Sequence, residues 1–226
     1  MICSFSNISR RQRGGVASRF VAAAVVVIAV GWAITLRAQA DAPETIAGRT
    51  IQQYASQLDS PNRVVRLRAL KSLGAFGADA GNTISTALGH SDAAMRYTAA
   101  VHLGRLGSES AGSAKDALTK LAADDPSAAV RSAAAFALCR LSPESRNVYL
   151  PQLIERLKLD QRGAVCSVAE LLGMLGKDAT DAVETLTEVH LANLPGGKGD
   201  YHIGGATKNA LRKIVPDWDK QASVAK

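Results

Sequence analysis

Nearly the same helix is repeated three times in this chain, and that repetition limits what the chain can fold into. The copies are VRLRALKSLGAFG, MRYTAAVHLGRLG and VRSAAAFALCRLS, which begin at Val65, Met95 and Val130, and a weaker copy begins at Ala164. In each copy, apolar or small residues recur four, eight and eleven positions after the first, and these spacings keep to one face of an α-helix. The starting residues are 30, 35 and 34 positions apart, a period typical of helical solenoids.

Each repeat also carries signals for where its helix begins and ends. Gly77, Gly107 and Gly176 occupy one register position, and glycine is favoured just beyond a helix end because it accepts left-handed backbone angles. The motifs DSPN at 59–62 and DDPS at 124–127 predict an Asp or Ser cap followed by Pro in the first turn. The sequence therefore predicts helices of defined length separated by short turns.

Between each stop and the next start lies a second apolar segment, which we interpret as the partner helix of a pair. We expect a degenerate fifth unit at 203–215, with Leu211 and Ile214 on its buried face and Trp218 covering that end. The expected partner helices are 80–88, 114–122, 148–157 and 179–189, with one preceding helix at 44–58.

The shared pattern, D-x-P-x-x-V-R-x-x-A-A-x-A-L-x-x-L-G, resembles the HEAT repeat in its short form, the PBS-lyase HEAT-like repeat. The resemblance covers roughly residues 44–215. It implies an all-α fold, a right-handed α-solenoid of about five HEAT-like helix pairs preceded by an N-terminal signal or anchor helix. We expect the repeat domain to span 41–216 and a C-terminal tail to span 217–226.

Residues 1–40 are typical of a targeting segment. They contain five arginines and no acidic residue, and the run from Phe20 to Leu36 is uncharged. The sequence Ala38-Gln39-Ala40 fits a signal-peptidase site, although the run is longer than a usual signal core. Two outcomes stay open: a cleaved signal peptide, which we favour, or a membrane anchor at residues 20–36. Either one predicts that 41–226 is exported to a periplasmic or other extracytoplasmic location.

The formal net charge of +7 arises mostly in that segment. Residues 41–226 contain 22 basic and 20 acidic residues, with no long basic run. Nucleic-acid binding needs a clustered basic face. The sequence therefore predicts no nucleic-acid partner.

Two enzyme types share this repeat, and neither is indicated. Deoxyhypusine hydroxylases bind di-iron through His-Glu dipeptides, but none of the four histidines here is followed by Glu. Bilin lyases share only the scaffold, and an exported chain would lie in the wrong compartment. We therefore predict a protein that is not an enzyme and has no cofactor or metal. The alternative is a metal-binding or enzyme accessory protein with a site near the 190–202 loop, where His190, Asp200 and His202 lie.

Arg66, Arg96 and Arg131 follow the first residue of three repeats. The resemblance implies that each pairs with an aspartate of a neighbouring turn, and Asp59 and Asp124 are spaced for that role. Their expected role is therefore structural rather than anion binding.

Cys139 and Cys166 fall about two helical turns apart along neighbouring helices. This offset, roughly 10 Å at the α-helical rise per residue, is too large for a disulfide bond. We expect two buried free thiols.

The expected function is a non-catalytic scaffold that holds a protein partner of unknown identity. Solenoids of helix pairs present an extended surface for this purpose. We expect the second helix of each pair to line it, and the polar candidates on those helices are Lys115, Lys120, Gln152, Arg156, Glu184 and Glu188.

Overall fold

The computed structural model describes residues 43–108, 112–159, 161–194 and 199–220. The expected signal or anchor helix, the span at 20–36 and the cleavage site near Ala40 lie outside these residues. Among the described helices, none is long and apolar enough to cross a membrane. The α-helices are Ile51–Ala55 (α1), Arg63–Leu73 (α2), Gly81–Thr86 (α3), Ala93–Leu106 (α4), Lys115–Asp124 (α5), Ala128–Leu141 (α6), Pro143–Glu155 (α7), Arg162–Leu175 (α8), Val183–Ala192 (α9) and Tyr201–Ile214 (α10).

The predicted helical repeat is confirmed. The first helices α2, α4, α6 and α8 each precede a second helix, α3, α5, α7 and α9. First helices pack on first helices of the next pair, most extensively α4 on α6 and α8 on α10. In the described part of the chain, four pairs are flanked by the single helices α1 and α10. The fifth unit is therefore seen as one helix, and Leu211, Ile214 and Trp218 are all buried there as expected.

The preceding helix predicted at 44–58 is shorter than expected. Residues 46–49 form a tight turn in which Ile46 and Arg49 exchange two backbone hydrogen bonds of 2.9 and 3.0 Å. Ala47 and Gly48 have positive φ angles in this turn, which no α-helix accommodates. The helix begins at Ile51, after Thr50 and Gln53 form a reciprocal capping box.

The helix caps lie two or three residues later than predicted. Asn62 caps α2 by accepting from the amide of Val64, and Ser127 caps α6 by accepting from the amide of Val130. Pro61 and Pro126 therefore precede the caps and do not lie in the first turn. The side chains of Asn62 and Ser127 satisfy amides at the helix start that have no partner within the helix.

The glycine stops are confirmed. Gly77, Gly107 and Gly176 have φ angles of 69°, 81° and 60°. A Cβ at Gly77 or Gly107 would meet no atom within 4 Å. Backbone conformation, and not crowding, is therefore what requires glycine there.

The core follows the predicted stripe. The positions four and eight residues into each repeat are almost fully buried, namely Ala69, Leu73, Ala99, Leu103, Ala134, Leu138, Val168 and Leu172. The central helix α6 is buried nearly all round, from Ser132 to Cys139. A Cβ at Gly104 would lie 2.6 Å from the ring of Phe136 and 2.9 Å from the Cα of Ala137. Small residues therefore let α4 and α6 approach closely, as ridge-and-groove packing requires.

Candidate functional site

Two adjoining cavities lie between successive second helices. The first, about 750 Å³, lies between α1 and α3, and the second, about 500 Å³, lies between α5 and the turn that follows α3. Gly89 and His90 line both. Together the cavities form one surface, here called the second-helix groove, which runs from Asp59 at one end to Asp124 at the other.

The groove has an apolar floor and a polar rim. Ala55, Leu58 and Ala87 form the floor of the first cavity, and Leu88 and Leu121 that of the second. The rim is polar and includes Asp59, Asn82, Thr86, Lys120 and Asp124, all of which are exposed. An apolar floor with a few polar groups is the usual make-up of a recognition site.

A ladder of arginines fixes the turns that border the groove. The guanidinium of Arg66 donates to the carbonyls of Ser60 and Pro61, Arg96 to those of His90 and Ser91, and Arg131 to those of Asp125 and Pro126. Each arginine therefore holds the turn that leads into its own helix.

Two of these arginines also reach an aspartate of the next pair. Arg96 Nε lies 2.7 Å from Asp125 Oδ2, and Arg66 Nη2 lies 3.5 Å from Asp92 Oδ2. The expected structural role is therefore supported, but the partners are Asp92 and Asp125. Asp59 and Asp124 line the groove instead.

The electrostatics of the two aspartates follow from these contacts. Hydrogen bonds from Arg63 and from the amide of Ala94 lower the pKa of Asp92 to about 2. Burial alone would raise the pKa of Asp125, but the bonds from Arg96 and the amide of Ser127 outweigh it and hold the pKa low. Both carboxylates are therefore charged and committed to the fold.

Beyond α5, an arginine occupies the position that alanine holds in the two preceding repeats. Ala87, Ala122 and Arg156 stand at the same position relative to the caps Asp92, Ser127 and Gln161. Arg156 Nη1 lies 3.0 Å from the carbonyl oxygen of Ala128 and 2.8 Å from Ser132 Oγ. Its side chain therefore packs on α6, whereas Ala87 at the equivalent position lines the first cavity.

The six candidate binding residues have different surroundings. Lys120 lines the groove, and Lys115 is exposed on the same helix. Arg156 is half-buried and bound to α6. The structure does not bring the six into one site. The remaining three, Gln152, Glu184 and Glu188, are exposed on α7 and α9.

The histidines near 190–202 have structural partners. His190 is buried, with its Nδ1 2.8 Å from the carbonyl oxygen of Gly204 and its ring edge-on to Trp218 at 5.3 Å. Asp200 caps α10 by accepting from the amide of His202. Among the described residues, which omit 195–198, no group of three or more His, Cys, Asp or Glu is placed to hold a metal ion.

The two described cysteines, Cys139 and Cys166, are free thiols, as expected. Burial raises the pKa of Cys139 to about 12, so its thiol stays protonated. Cys166 is half-buried, in contrast to the burial expected for it, and burial also raises its pKa.

Sequence reasoning missed the residues at the middle of the groove. Gly89 and His90 lie in a turn with no motif, and His90 Nδ1 accepts from the amide of Asp92 at 2.8 Å. Aligning the second helices on the caps that follow them would have shown alanine at 87 and 122 against arginine at 156. That size difference is the sequence signal for the groove.

Comparison with known proteins agrees with this repeat architecture. Residues 51–139 match the family model of HEAT repeats. The chain carries HEAT repeats over this range, and the resemblance stated from the sequence is confirmed there. A comparison with curated proteins gave no match.

Solved structures similar to this chain include three helical-repeat or engineered proteins. The complex of CpcE and CpcF of phycocyanin lyase from Nostoc sp. PCC7120 matches at 19% identity over 69% of this chain and 96% of that chain, with a TM-score of 0.49. An engineered protein matches at 18% identity over 73% and 78%, with a TM-score of 0.43. A designed armadillo repeat protein matches at 12% identity over 73% and 82%, with a TM-score of 0.39. These likenesses carry no information about activity or partner.

Proposed function

We propose that this chain is a non-catalytic HEAT-repeat scaffold that holds a protein partner against the second-helix groove. The observation that carries the proposal is that two cavities with apolar floors adjoin and share Gly89 and His90 in their linings. Adjoining apolar floors with an exposed polar rim suit a protein segment, and helical repeats commonly use such surfaces to hold other proteins.

Several reactive side chains are engaged in ways that favour a structural role over catalysis. The thiol of Cys139 is buried with a raised pKa, and the ring of His190 is held by Gly204 and Trp218. Arg96 and Asp125 neutralise each other at the groove. These contacts support a binding surface without chemistry of its own.

We further propose that the scaffold acts outside the cytoplasm. The support is the sequence alone: an arginine-rich start, the uncharged run from Phe20 to Leu36, and Ala38 and Ala40 before a cleavage point. The repeat domain at 41–216 would then form a right-handed solenoid of helix pairs on the exported side. It would be released after Ala40 or anchored by residues 20–36.

Affinity purification followed by mass spectrometry tests both parts. The tagged full chain is purified from the native membrane and soluble fractions, and the N-terminus and co-purifying proteins are identified. Gly89→Gln is the blocking variant, because a Cβ at Gly89 meets no atom within 4 Å and the longer side chain enters the groove. Gly163→Gln is the matched control, since Gly163 is equally open but does not line the groove.

We expect one reproducible partner with the wild type and with Gly163→Gln, and its loss with Gly89→Gln. Asp41 as the mature start would support export with cleavage, and an intact N-terminus in the membrane fraction would support anchoring. A partner retained by Gly89→Gln would contradict the proposed surface. An intact N-terminus in the soluble cytoplasmic fraction would contradict export.

A further inference from the structure

We infer that the second-helix groove takes an extended segment of a partner protein that carries apolar side chains for the floor and lysine or arginine side chains for Asp59 and Asp124. This inference rests on the proposed function and adds the chemistry of the partner. It follows from which charged groups at the groove are already paired and which are not.

The free charges at the groove are mainly negative. Asp59 and Asp124 are exposed, and neither has an ion pair within the described residues. Asp59 is the one charged residue of the first cavity. A cationic side chain placed there would therefore have an unopposed carboxylate to contact.

The cationic side chains near the groove do not neutralise the carboxylates of Asp59 and Asp124. Arg96 is neutralised by Asp125 and by the carbonyls of His90 and Ser91. Lys120 is exposed and forms no ion pair with Asp124 within the described residues, so it leaves that carboxylate open to a cation of the partner. Asp124 is also the last residue of α5, where the helix dipole favours a nearby cation. The groove as a whole therefore favours a basic segment over an acidic one.

Asp59 and Asp124 also set the spacing of the basic residues. They stand in equivalent turns two helix pairs apart, and helices pack about 8–10 Å apart, so the carboxylates are separated by roughly 20 Å. An extended chain advances about 3.3 Å per residue, so about six residues span this distance. The apolar floor lies between, with Leu58 near one end and Leu121 near the other.

The test uses the purified full chain and labelled peptides read by fluorescence polarisation at low salt. The probe is a nine-residue peptide of leucine and serine with lysines at its second and eighth positions. One control peptide has glutamate in place of both lysines, and another has the two lysines adjacent. The protein variants are Asp59→Asn and Asp124→Asn, with Asp79→Asn as the matched control because Asp79 is exposed and does not line the groove.

We expect the spaced-lysine peptide to bind about tenfold more tightly than the glutamate peptide and measurably more tightly than the adjacent-lysine peptide. Asp59→Asn and Asp124→Asn should each weaken it by about two- to fivefold, as expected for exposed ion pairs. Asp79→Asn should leave its affinity unchanged. Added salt should reduce the difference in affinity between the spaced-lysine peptide and the glutamate peptide.

Equal binding of the lysine and glutamate peptides would overturn the inference. An effect of Asp79→Asn as large as that of Asp59→Asn would do the same. If either occurs while Gly89→Gln still loses the native partner, the charge preference fails and the proposed surface stands. If Gly89→Gln keeps the native partner, both the charge preference and the proposed binding surface are wrong.

Discussion

Arg96 connects two successive repeats, because its Nε lies 2.7 Å from Asp125 Oδ2 while its Nη1 donates to the carbonyls of His90 and Ser91. The carboxylate of Asp125 is almost completely buried, with its side chain 2% exposed. Asp125 also accepts from the amide of Ser127, the cap of α6. One guanidinium therefore holds its own turn and fixes the start of the next repeat.

Replacing Arg96 with alanine should destabilise the fold. The change leaves the buried Asp125 carboxylate without its cation, and losing such a bond costs about 2–3 kcal/mol in free energy of unfolding. Urea denaturation followed by circular dichroism measures this. Arg63→Ala is the control, because Arg63 pairs with Asp92 at the same distance but is 62% exposed, and its loss should cost clearly less than that of Arg96. An equal loss of unfolding free energy in Arg96→Ala and Arg63→Ala would contradict the view that the buried ion pair stabilises the fold more than the exposed one.

Acid should weaken the fold through Asp92. Its folded pKa of about 2 lies below the unfolded value of about 4, so its contribution is complete above pH 4 and is lost as the pH falls toward 2. Asp92→Asn should therefore reduce the dependence of unfolding free energy on pH in this window. Asp79→Asn should retain the wild-type slope. Parallel slopes for wild type and Asp92→Asn would show that the pKa of Asp92 is not lowered in the folded protein.

Gly104→Ala should destabilise the packing of α4 on α6. The added methyl would lie 2.6 Å from Phe136 and 2.9 Å from the Cα of Ala137, and overpacking of this kind costs about 1–3 kcal/mol. Gly163→Ala is the matched control within α8, where the methyl meets open space and alanine should add up to about 1 kcal/mol. Thermal melting curves distinguish the two. A stabilised Gly104→Ala variant would mean that the two helices are further apart.

The two described cysteines should differ in reactivity toward a thiol reagent. Cys166 is half-buried, whereas Cys139 is fully buried with a pKa of about 12. In a Cys3→Ser background at pH 8, we expect Cys166 to react slowly and Cys139 to react only after unfolding. Peptide mapping by mass spectrometry assigns each label. Faster labelling of Cys139 in the native protein would contradict its place in the core.

Much of the fold could be predicted from the sequence, because a buried stripe at spacings of four, four and three leaves few alternatives to a helix. Positions such as Leu73 and Leu103 are buried as that stripe requires. The residues at which the helices begin were harder to predict. The pattern predicts caps before Pro61 and Pro126, but the caps are Asn62 and Ser127, which follow these prolines. Propensity alone does not fix a helix boundary to one residue.

The contacts of the site were less predictable. Asp124 and Asp125 are adjacent in sequence, and spacing could not tell which one Arg96 would meet, since one is buried and the other lies at the groove. The six candidate residues were chosen for polarity on the second helices, and Lys120 lines the groove. The groove itself depends on the packing distance between helices and on the small side chain of Ala87. No sequence motif predicts either of these features.

Site-specific photocrosslinking tests the scaffold proposal most directly. A benzophenone amino acid is placed at Thr86 or Ala117, which line the groove and are exposed, and at Arg68 or Arg105, which are exposed on the first helices. Each full-length variant is irradiated in its native cells, and crosslinked proteins are identified by mass spectrometry. We expect the same partner to crosslink from Thr86 and Ala117 and not from Arg68 or Arg105. Crosslinks from Arg68 and Arg105 alone would contradict the assignment of the second-helix groove as the binding surface.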